Sequence, residues 1–476
     1  MHRFLLDNDS SNIFHHPIDD LDATLAEVVR ECPAQVTTYL LCSGAGSCYW
    51  PTRLGHVDPR ATAMVEAHAR GVDPLRLLLE QLKAAGKEIF LSYRMNDVHN
   101  PTDADQWNTP RVRLEHPDCI VGLDEVERGD ASWMSYCMDY ARDDVRAYVL
   151  ELIEEQIGLY GDLIDGFQLD WMRFPRHLSG TPEEVWAKRE IVTDFVGRVR
   201  AVLATADRPI ALAARVPTTP AGCRHLGFDI AAWTTQDVLD LLVICPFLTT
   251  EWQVPVAPFR DLMGERQVPI YSGFDFGFGH QVHFPESLRG ICSSLYDTGA
   301  DGIYVFNFPC WTEYLAARPY HWLDGLDTPA GASKKPLLLA ADHRRHRVEG
   351  VDQSALLPAT VAAGEILAVP LYIPASTLPT WRCLALVQSH GDVRLRINQQ
   401  PGLEFRHGRA HSGPFRSEIL LEYANQYGDA DDRPQPADCR TFQIPPDHLA
   451  AGDNQVLIEN TTAAPLTIER LNLVLW

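Results

Sequence analysis

The sequence lacks the marks of most metal- and cofactor-based chemistries. It has no CxxC pair, no HxH or HExxH spacing, no GxSxG elbow and no phosphate loop, and the glycines of 273–279 lack the strand-to-helix context of a dinucleotide fingerprint. The expectation is therefore no metal and no cofactor. No run reaches the roughly 18 apolar residues that a membrane-spanning helix needs. Positive charge is scarce: 41 Lys and Arg stand against 64 Asp and Glu, and the formal charge of −23 repels phosphate backbones and anionic bilayers. Neither nucleic acid nor a membrane is an expected partner. The 11 cysteines are odd in number and scattered, which reads as reduced core residues rather than a disulfide framework. The first residues run strand-like into Asp7-Asn8-Asp9 and carry no long apolar core. A cytoplasmic chain is expected on these grounds, a secreted or periplasmic origin with its leader removed being the alternative.

What is present is the composition of an ordered protein longer than one average domain: 476 residues, 46% hydrophobic and 22% charged. Short β-rich runs at 4–9, 36–43, 88–94, 166–170, 210–216, 241–246, 269–274 and 302–307 alternate with amphipathic stretches such as 74–85 and 143–159. Eight strand–helix repeats predict an α/β fold, a (β/α)8 TIM barrel over residues 1–330. A Pro/Gly/Lys-containing linker at 331–345 follows, then an all-β sandwich or jelly roll over 346–476, with strands at 366–373, 383–388, 392–397, 418–422, 455–459 and 471–476. The segment 96–140, with Trp107, His116 and Trp133, is too long for an ordinary βα connection and should overhang the barrel mouth.

The most informative stretch is Asp165-Gly166-Phe167-Gln168-Leu169-Asp170-Trp171-Met172-Arg173-Phe174-Pro175, a β-run that closes on a carboxylate and enters a polar, aromatic loop. Barrel enzymes carry their chemistry at such strand ends. The stretch resembles the strand-four signature of the glycosyl-hydrolase-like family 10 barrels, within the glycoside hydrolase superfamily. That resemblance implies a nucleophilic or charge-stabilising role for Asp170 and a paired, orienting role for Arg173. Hydrolysis of a glycoside needs a second carboxyl group to protonate the leaving oxygen. Asp275, Glu251 and Asp97 are the candidates, each just past a strand end. The fifth strand closes Ala214-Arg215-Val216-Pro217, without the glutamate that amylase-like barrels carry there.

Substrate contacts are expected from the other strand ends: Asp7 and Asp9, two apart and so on one side of the first strand; Tyr93, Arg94, Asn96 and His99 after the third; Trp171, Arg215, Tyr271 and Asn307. Asp7 and Asp9 read equally well as a local Asx cluster. Trp50 and Trp311 are further stacking candidates. Arg94, Arg173, Arg176 and Arg215 near one mouth suit carboxylate or sulfate recognition, unless each neutralises a neighbouring acid. The expectation is a two-carboxylate glycoside hydrolase acting on an oligo- or polysaccharide, with an acidic sugar such as a uronate or sulfated residue in view. The alternatives are a polysaccharide lyase on the same barrel, or a carbohydrate-binding protein without catalysis. Homo-oligomerisation is left open.

Overall fold

The computed structural model describes residues 3–15, 20–44, 46–99, 101–102, 107–275, 285–308, 320–342, 348, 350–405 and 439–476. Eight parallel strands close into a barrel in sequence order: β1 (Phe4–Asn8), β2 (Thr38–Gly44), β3 (Glu88–Arg94), β4 (Gly166–Asp170), β5 (Ala211–Val216), β6 (Leu241–Ile244), β7 (Ile270–Asp275) and β8 (Gly302–Phe306). The run expected at 241–246 stops earlier because a proline at 246 cannot extend the ladder. Helices follow the strands where apolar residues recur every three to four positions, as in Pro74–Ala84, Asp143–Tyr160 and Arg189–Leu203. Their starts are capped locally: Asp73 accepts from Arg76 N, and Thr181 and Glu184 form a capping box.

The barrel interior is filled by alternating large and absent side chains. Phe90, Tyr271 and Tyr304 lie in register with Gly166, Gly302 and Gly273 on the neighbouring strands. Each ring occupies the space its partner glycine leaves empty. A Cβ on Gly166 would stand 2.3 Å from the Phe90 ring, and one on Gly273 2.7 Å from Tyr304. This packing fills the lower barrel with apolar rings and leaves polar residues to the strand carboxyl ends.

The second domain has two antiparallel sheets. β9 (Leu337–Ala340), β10 (Ala359–Val361), β12 (Cys383–Ser389), β15 (Leu403–Phe405), β16 (Cys439–Ile444) and β18 (Leu466–Leu475) form one. β11 (Ile366–Ile373), β13 (Val393–Ile397), β14 (Gln400–Pro401) and β17 (Gly452–Asn460) form the other. Inward residues such as Val369, Leu371, Ala385, Leu395, Ile458 and Leu473 make their common core. Two expectations change. Residues 337–340, read as linker from their Pro- and Lys-containing flank, are a strand paired with β18, so the second domain begins inside that stretch. The strand expected at 418–422 lies outside the described residues. The helix Pro285–Asp297 braces the junction: Gly290 lets Leu338 O approach so closely that a Cβ would sit 1.7 Å from it, and Arg289 Nη2 donates to Pro336 O at 2.7 Å.

The ring-over-glycine packing makes a direct claim. Gly166→Ala is expected to destabilise the fold by about 1–3 kcal/mol through overpacking against Phe90, measured by denaturant unfolding, and Phe90→Leu in the same chain should recover part of the loss. Equal losses in the two backgrounds would show that the ring is not what the methyl group meets.

Candidate active site

Strand alternation decides which side chains enter the barrel. Leu5, Leu40, Phe90, Ala213, Tyr271, Tyr304 and Phe306 pack as one interior cluster, so residues two apart from them on the same strands also face inward. At the carboxyl ends this brings Asp7 (β1), Cys42 (β2), Arg94 (β3), Asp170 (β4), Arg215 (β5) and Asp275 (β7) to one ring. Arg94, Asp170 and Arg215 are direct register partners across β3, β4 and β5. Three carboxyl groups and two guanidinium groups thus share a water-poor space.

Asp170, fully buried, is held from several sides. Arg215 Nη1 lies 3.2 and 3.1 Å from its two oxygens, and Met172 N donates to Oδ1 at 2.9 Å. Arg215 in turn donates through Nη2 to Pro246 O at 2.6 Å and stacks 3.6 Å over the Phe306 ring. Asp7 has the opposite surroundings. Its Oδ2 accepts from Tyr304 Oη at 2.8 Å and lies 3.3 Å from Gln168 Nε2, and it has no salt bridge among the described residues. Burial, and then the nearby charge of Asp170, push its carboxyl up to about 7 against the opposing pull of Arg94, Tyr304 and Arg215. One ring therefore holds an ion-paired carboxylate and a carboxyl group able to keep its proton near neutrality.

A cavity of about 220 Å³ opens onto this ring, with Cys42 and Arg94 in its lining. Its walls come from the loops after β1 to β4: Asp9, His15, Tyr49, Asp58, Arg60, Asp97, His99, Trp107 and Arg173, together with Asn307 after β8. Arg94 donates to Asp9, to Asp97 Oδ2 at 2.9 Å and to Asn307 Oδ1 at 3.1 Å. Burial would raise Asp9, but Arg94 and then Arg173 bring it down to about 2. Burial also acts on Asp97, where His99, Arg173 and Arg94 outweigh it and hold the carboxyl well below the usual range. His99 Nδ1 lies 2.5 Å from Asp97 Oδ1, and its Nε2 is 3.1 Å from Arg173 Nη2. Because a guanidinium only donates, Nε2 accepts and the proton rests on Nδ1. On the far wall Asp58 receives both Arg60, through Nε at 3.0 Å and Nη2 at 2.7 Å, and His15 at 3.1 Å. Arg60 stacks 3.1 Å over Trp107, and Trp107, Trp133 and Phe174 surround the His99 ring. The long segment after β3, expected to overhang the mouth, places Asp97, His99, Trp107 and Asn108 in the cavity lining.

The sequence-selected residues divide into three sets. Asp9, Arg94, Asp97, His99, Arg173 and Asn307 line the cavity, and Asp7, Asp170, Arg215 and Asp275 belong to the barrel-end ring, which meets the cavity lining through Cys42 and Arg94. Five others are elsewhere. Tyr93 points out of the barrel into the helix-facing core, the side opposite Arg94. Trp171 is buried among Tyr140, His177 and Phe228. Tyr271 sits at the amino end of the barrel, where its hydroxyl accepts from Arg3 Nη1 at 3.4 Å. Asn96 fixes loop backbone, donating to Arg176 O and accepting from Met138 N at 2.8 Å. Glu251 takes Thr218 Oγ1 and Gln353, whose Nε2 is 2.6 Å away, and so ties the β6 loop to the stretch between β9 and β10. Asp97 reaches the cavity, but its cations keep it from acting as a proton donor. Trp50 is buried with Nε1 on Glu155, and Trp311 lies outside the described residues. Sequence reasoning passed over Tyr304, Gln168, Asp58, Arg60 and Tyr49; for the first two, a polar residue at an inward position two before a strand's last residue was the available signal.

No family model matches the chain, and neither does any curated protein sequence. Solved structures that it resembles include glycoside hydrolases. They include the PgaB (BpsB) glycoside hydrolase domain from Bordetella bronchiseptica, at 14% identity over 69% of this chain and 99% of that one, TM-score 0.47. The beta-galactosidase from the psychrophilic Marinomonas ef1 shares 12% identity over 64% and 54%, TM-score 0.42. Endo-glycoceramidase II from Rhodococcus sp. shares 12% identity over 97% of both chains, TM-score 0.41. The barrel itself rests on the closed strand register, and the chemistry on the side chains above.

Asp7 also leaves a mark on stability. Its folded-state value near 7 lies well above that of an ordinary aspartate, so the native state keeps a proton that the unfolded chain gives up. The contribution is fully present below about pH 4 and is lost as pH rises through about 7. Asp7→Asn, which cannot ionise, should therefore raise the thermal midpoint by a few degrees at about pH 8 and change it little at about pH 4. An equal gain at both values would count against the buried-charge account.

Proposed function

We propose that this protein is a glycoside hydrolase in which Asp170 meets the developing positive charge at the anomeric carbon and Asp7 protonates the leaving oxygen. The observation that carries the reading is the divergence of two neighbouring carboxyls in one ring, Asp170 on Arg215 and Asp7 raised to about 7. Pairs whose environments separate their proton affinities are the pattern of acid–base and nucleophile assignments in glycosidases. The narrower likeness to the glycosyl-hydrolase-like family 10 barrels rests on residues 165–175, whose Asp170 is the same residue this geometry selects. Asp7 and Asp170 are at most 1% exposed, so the reading requires a sugar to settle against Cys42 and Arg94 and reach the base of the cavity. The test is release of reducing ends from a panel of oligosaccharides. Asp170→Asn and Asp7→Asn are each expected to lower turnover ~100-fold or more, in line with the loss of a positioned acid or base. Wild-type turnover in either variant removes that residue from the mechanism, and a product absorbing in the ultraviolet would replace hydrolysis by elimination.

An acidic sugar is a second, finer reading, favoured by one observation. Arg94 and Arg215 are taken up by carboxylates and Arg176 by Glu125, whereas Arg173 Nη1 is buried beside the cavity with no hydrogen-bond partner among the described residues. A substrate carboxylate or sulfate would satisfy it. On this reading Arg173→Met raises KM about tenfold or more for acidic oligosaccharides and leaves neutral ones little changed, the loss expected for one charge-assisted hydrogen bond. Equal effects on both classes would assign Arg173 to sugar hydroxyls or to Asp97 alone. A cytoplasmic setting is proposed on the nine cysteines that are buried and unpaired among the described residues.

A further inference from the structure

We infer that Tyr304 is the positioning residue for the proton on Asp7, fixing which carboxyl oxygen carries it and over what pH range it is held; this rests on the proposed role of Asp7 as acid. Tyr304 and Gln168 face the barrel interior from β8 and β4, one layer below the charged ring. Gln168 Nε2 lies 2.8 Å from Ser92 Oγ, 3.1 Å from Tyr304 Oη and 3.3 Å from Asp7 Oδ2. With the amide on its oxygen, the Tyr304 hydroxyl spends its hydrogen on Asp7 Oδ2 at 2.8 Å. Tyr304 thus gives Oδ2 its main hydrogen bond, and Gln168, whose two amide hydrogens have nearer acceptors in Ser92 and Tyr304, reaches Oδ2 only as a shared contact. A carboxylic acid whose one oxygen already accepts a hydrogen bond places its own hydrogen on the other, so Oδ1 carries the proton and is the atom that gives it to the leaving oxygen. After transfer the Tyr304 bond remains, now to a charged oxygen, and is stronger than before. The step balances: the proton passes from Oδ1 to the glycosidic oxygen as its bond to the anomeric carbon breaks, that carbon is met by Asp170 and finally bonded by water, and Asp7 is left as a carboxylate.

Burial alone does not explain a tyrosine hydroxyl here. The inward residues of this layer include the apolar Leu5, Leu40 and Ala213 beside the polar Ser92 and Gln168, and a phenylalanine would fill the ring space over Gly273 equally well. The hydroxyl stands where it can bond Asp7, a carboxyl with no salt bridge among the described residues. The groups bearing on Asp7 are Asp170 from β4, Arg94 from β3, Arg215 from β5, Cys42 from β2 and Tyr304 itself. Tyr304 and Gln168 are the uncharged groups that reach the carboxyl, Tyr304 at the shorter distance.

The experiment is the pH dependence of kcat/KM for wild type, Tyr304→Phe, Gln168→Met and Asp7→Asn on one cleaved oligosaccharide, with unfolding midpoints measured alongside. Wild type should lose activity on the basic side near pH 7, as Asp7 gives up its proton. Tyr304→Phe removes a bond that favours the charged form, so its basic limb should move up by about one pH unit, the scale of one hydrogen bond, with a plateau lowered several-fold. Gln168→Met should move the limb the same way by less, and gives the reading if Tyr304→Phe fails to fold. A Tyr304→Phe enzyme with an unmoved basic limb overturns the proposal, whether its plateau is normal or merely low. That failure differs from failure of the hydrolase roles, which would appear as Asp7→Asn retaining wild-type activity and profile.

Discussion

The contact between Arg215 and Asp170 constrains everything else at the barrel mouth. Two full charges buried together repay their desolvation only if geometry and extra hydrogen bonds are good, and removing one partner of such a pair costs about 3–5 kcal/mol. Here the geometry comes from the ladder, since parallel register sets Asp170 beside Arg215 and the Met172 amide beside Asp170. Arg215 is then spent. Arg94, on Asp170's other flank, is drawn toward the cavity by Asp9, Asp97 and Asn307. Within the ring three carboxyls face two cations, of which one is pulled outward. In a medium of low polarity such a deficit favours protonation over a further charge, and Asp7, bonded by the neutral Tyr304 hydroxyl, is raised to about 7 by burial and the charge of Asp170.

Below that ring the barrel changes character in one step. Phe90, Tyr271 and Tyr304 cover glycines and close the lower interior to water, and Ser92, Gln168 and the Tyr304 hydroxyl form a neutral polar layer between rings and charges. That layer provides hydrogen bonds without adding charge, which lets Asp7 stay near the middle of the pH scale. The second domain bears on the mouth indirectly. Glu251 holds Gln353 and Thr218, so a strand-end carboxylate with the look of a catalytic group fastens the β6 loop to the stretch between β9 and β10.

Much of this was legible in the sequence because barrel strands have a strict two-residue period. Eight β-runs in order gave the barrel, and the acidic ends of the first, fourth and seventh gave Asp7, Asp170 and Asp275. What sequence could not supply was phase between strands. Tyr93 and Arg94 are adjacent, and only the register with β4 shows that the arginine enters the barrel and the tyrosine leaves it. Tyr271 has the inward phase but the wrong height, at the amino end beside Arg3. Trp171 and Asn96 stand just past strand ends, where a loop is free to turn either way, and both turn into protein. Asp58 and Arg60 belong to a loop with no periodic signal, so their place in the cavity wall depends on folding that leaves no local trace in the chain.

The division of charge also fixes a direction for the chemistry. Every carboxylate on the cavity wall, Asp9, Asp58 and Asp97, is held below its ordinary range by an arginine or a histidine, so none of them is a proton source near neutrality. On the proposed reading the proton comes instead from Asp7. A glycoside would then turn its scissile oxygen toward β1 and its anomeric carbon toward β4, with the remaining hydroxyls spread along the wall of Arg94, Arg173, His99 and Asn307. Under that proposal substrate orientation follows from the cations beside Asp9, Asp58, Asp97 and Asp170 and the neutral donors beside Asp7.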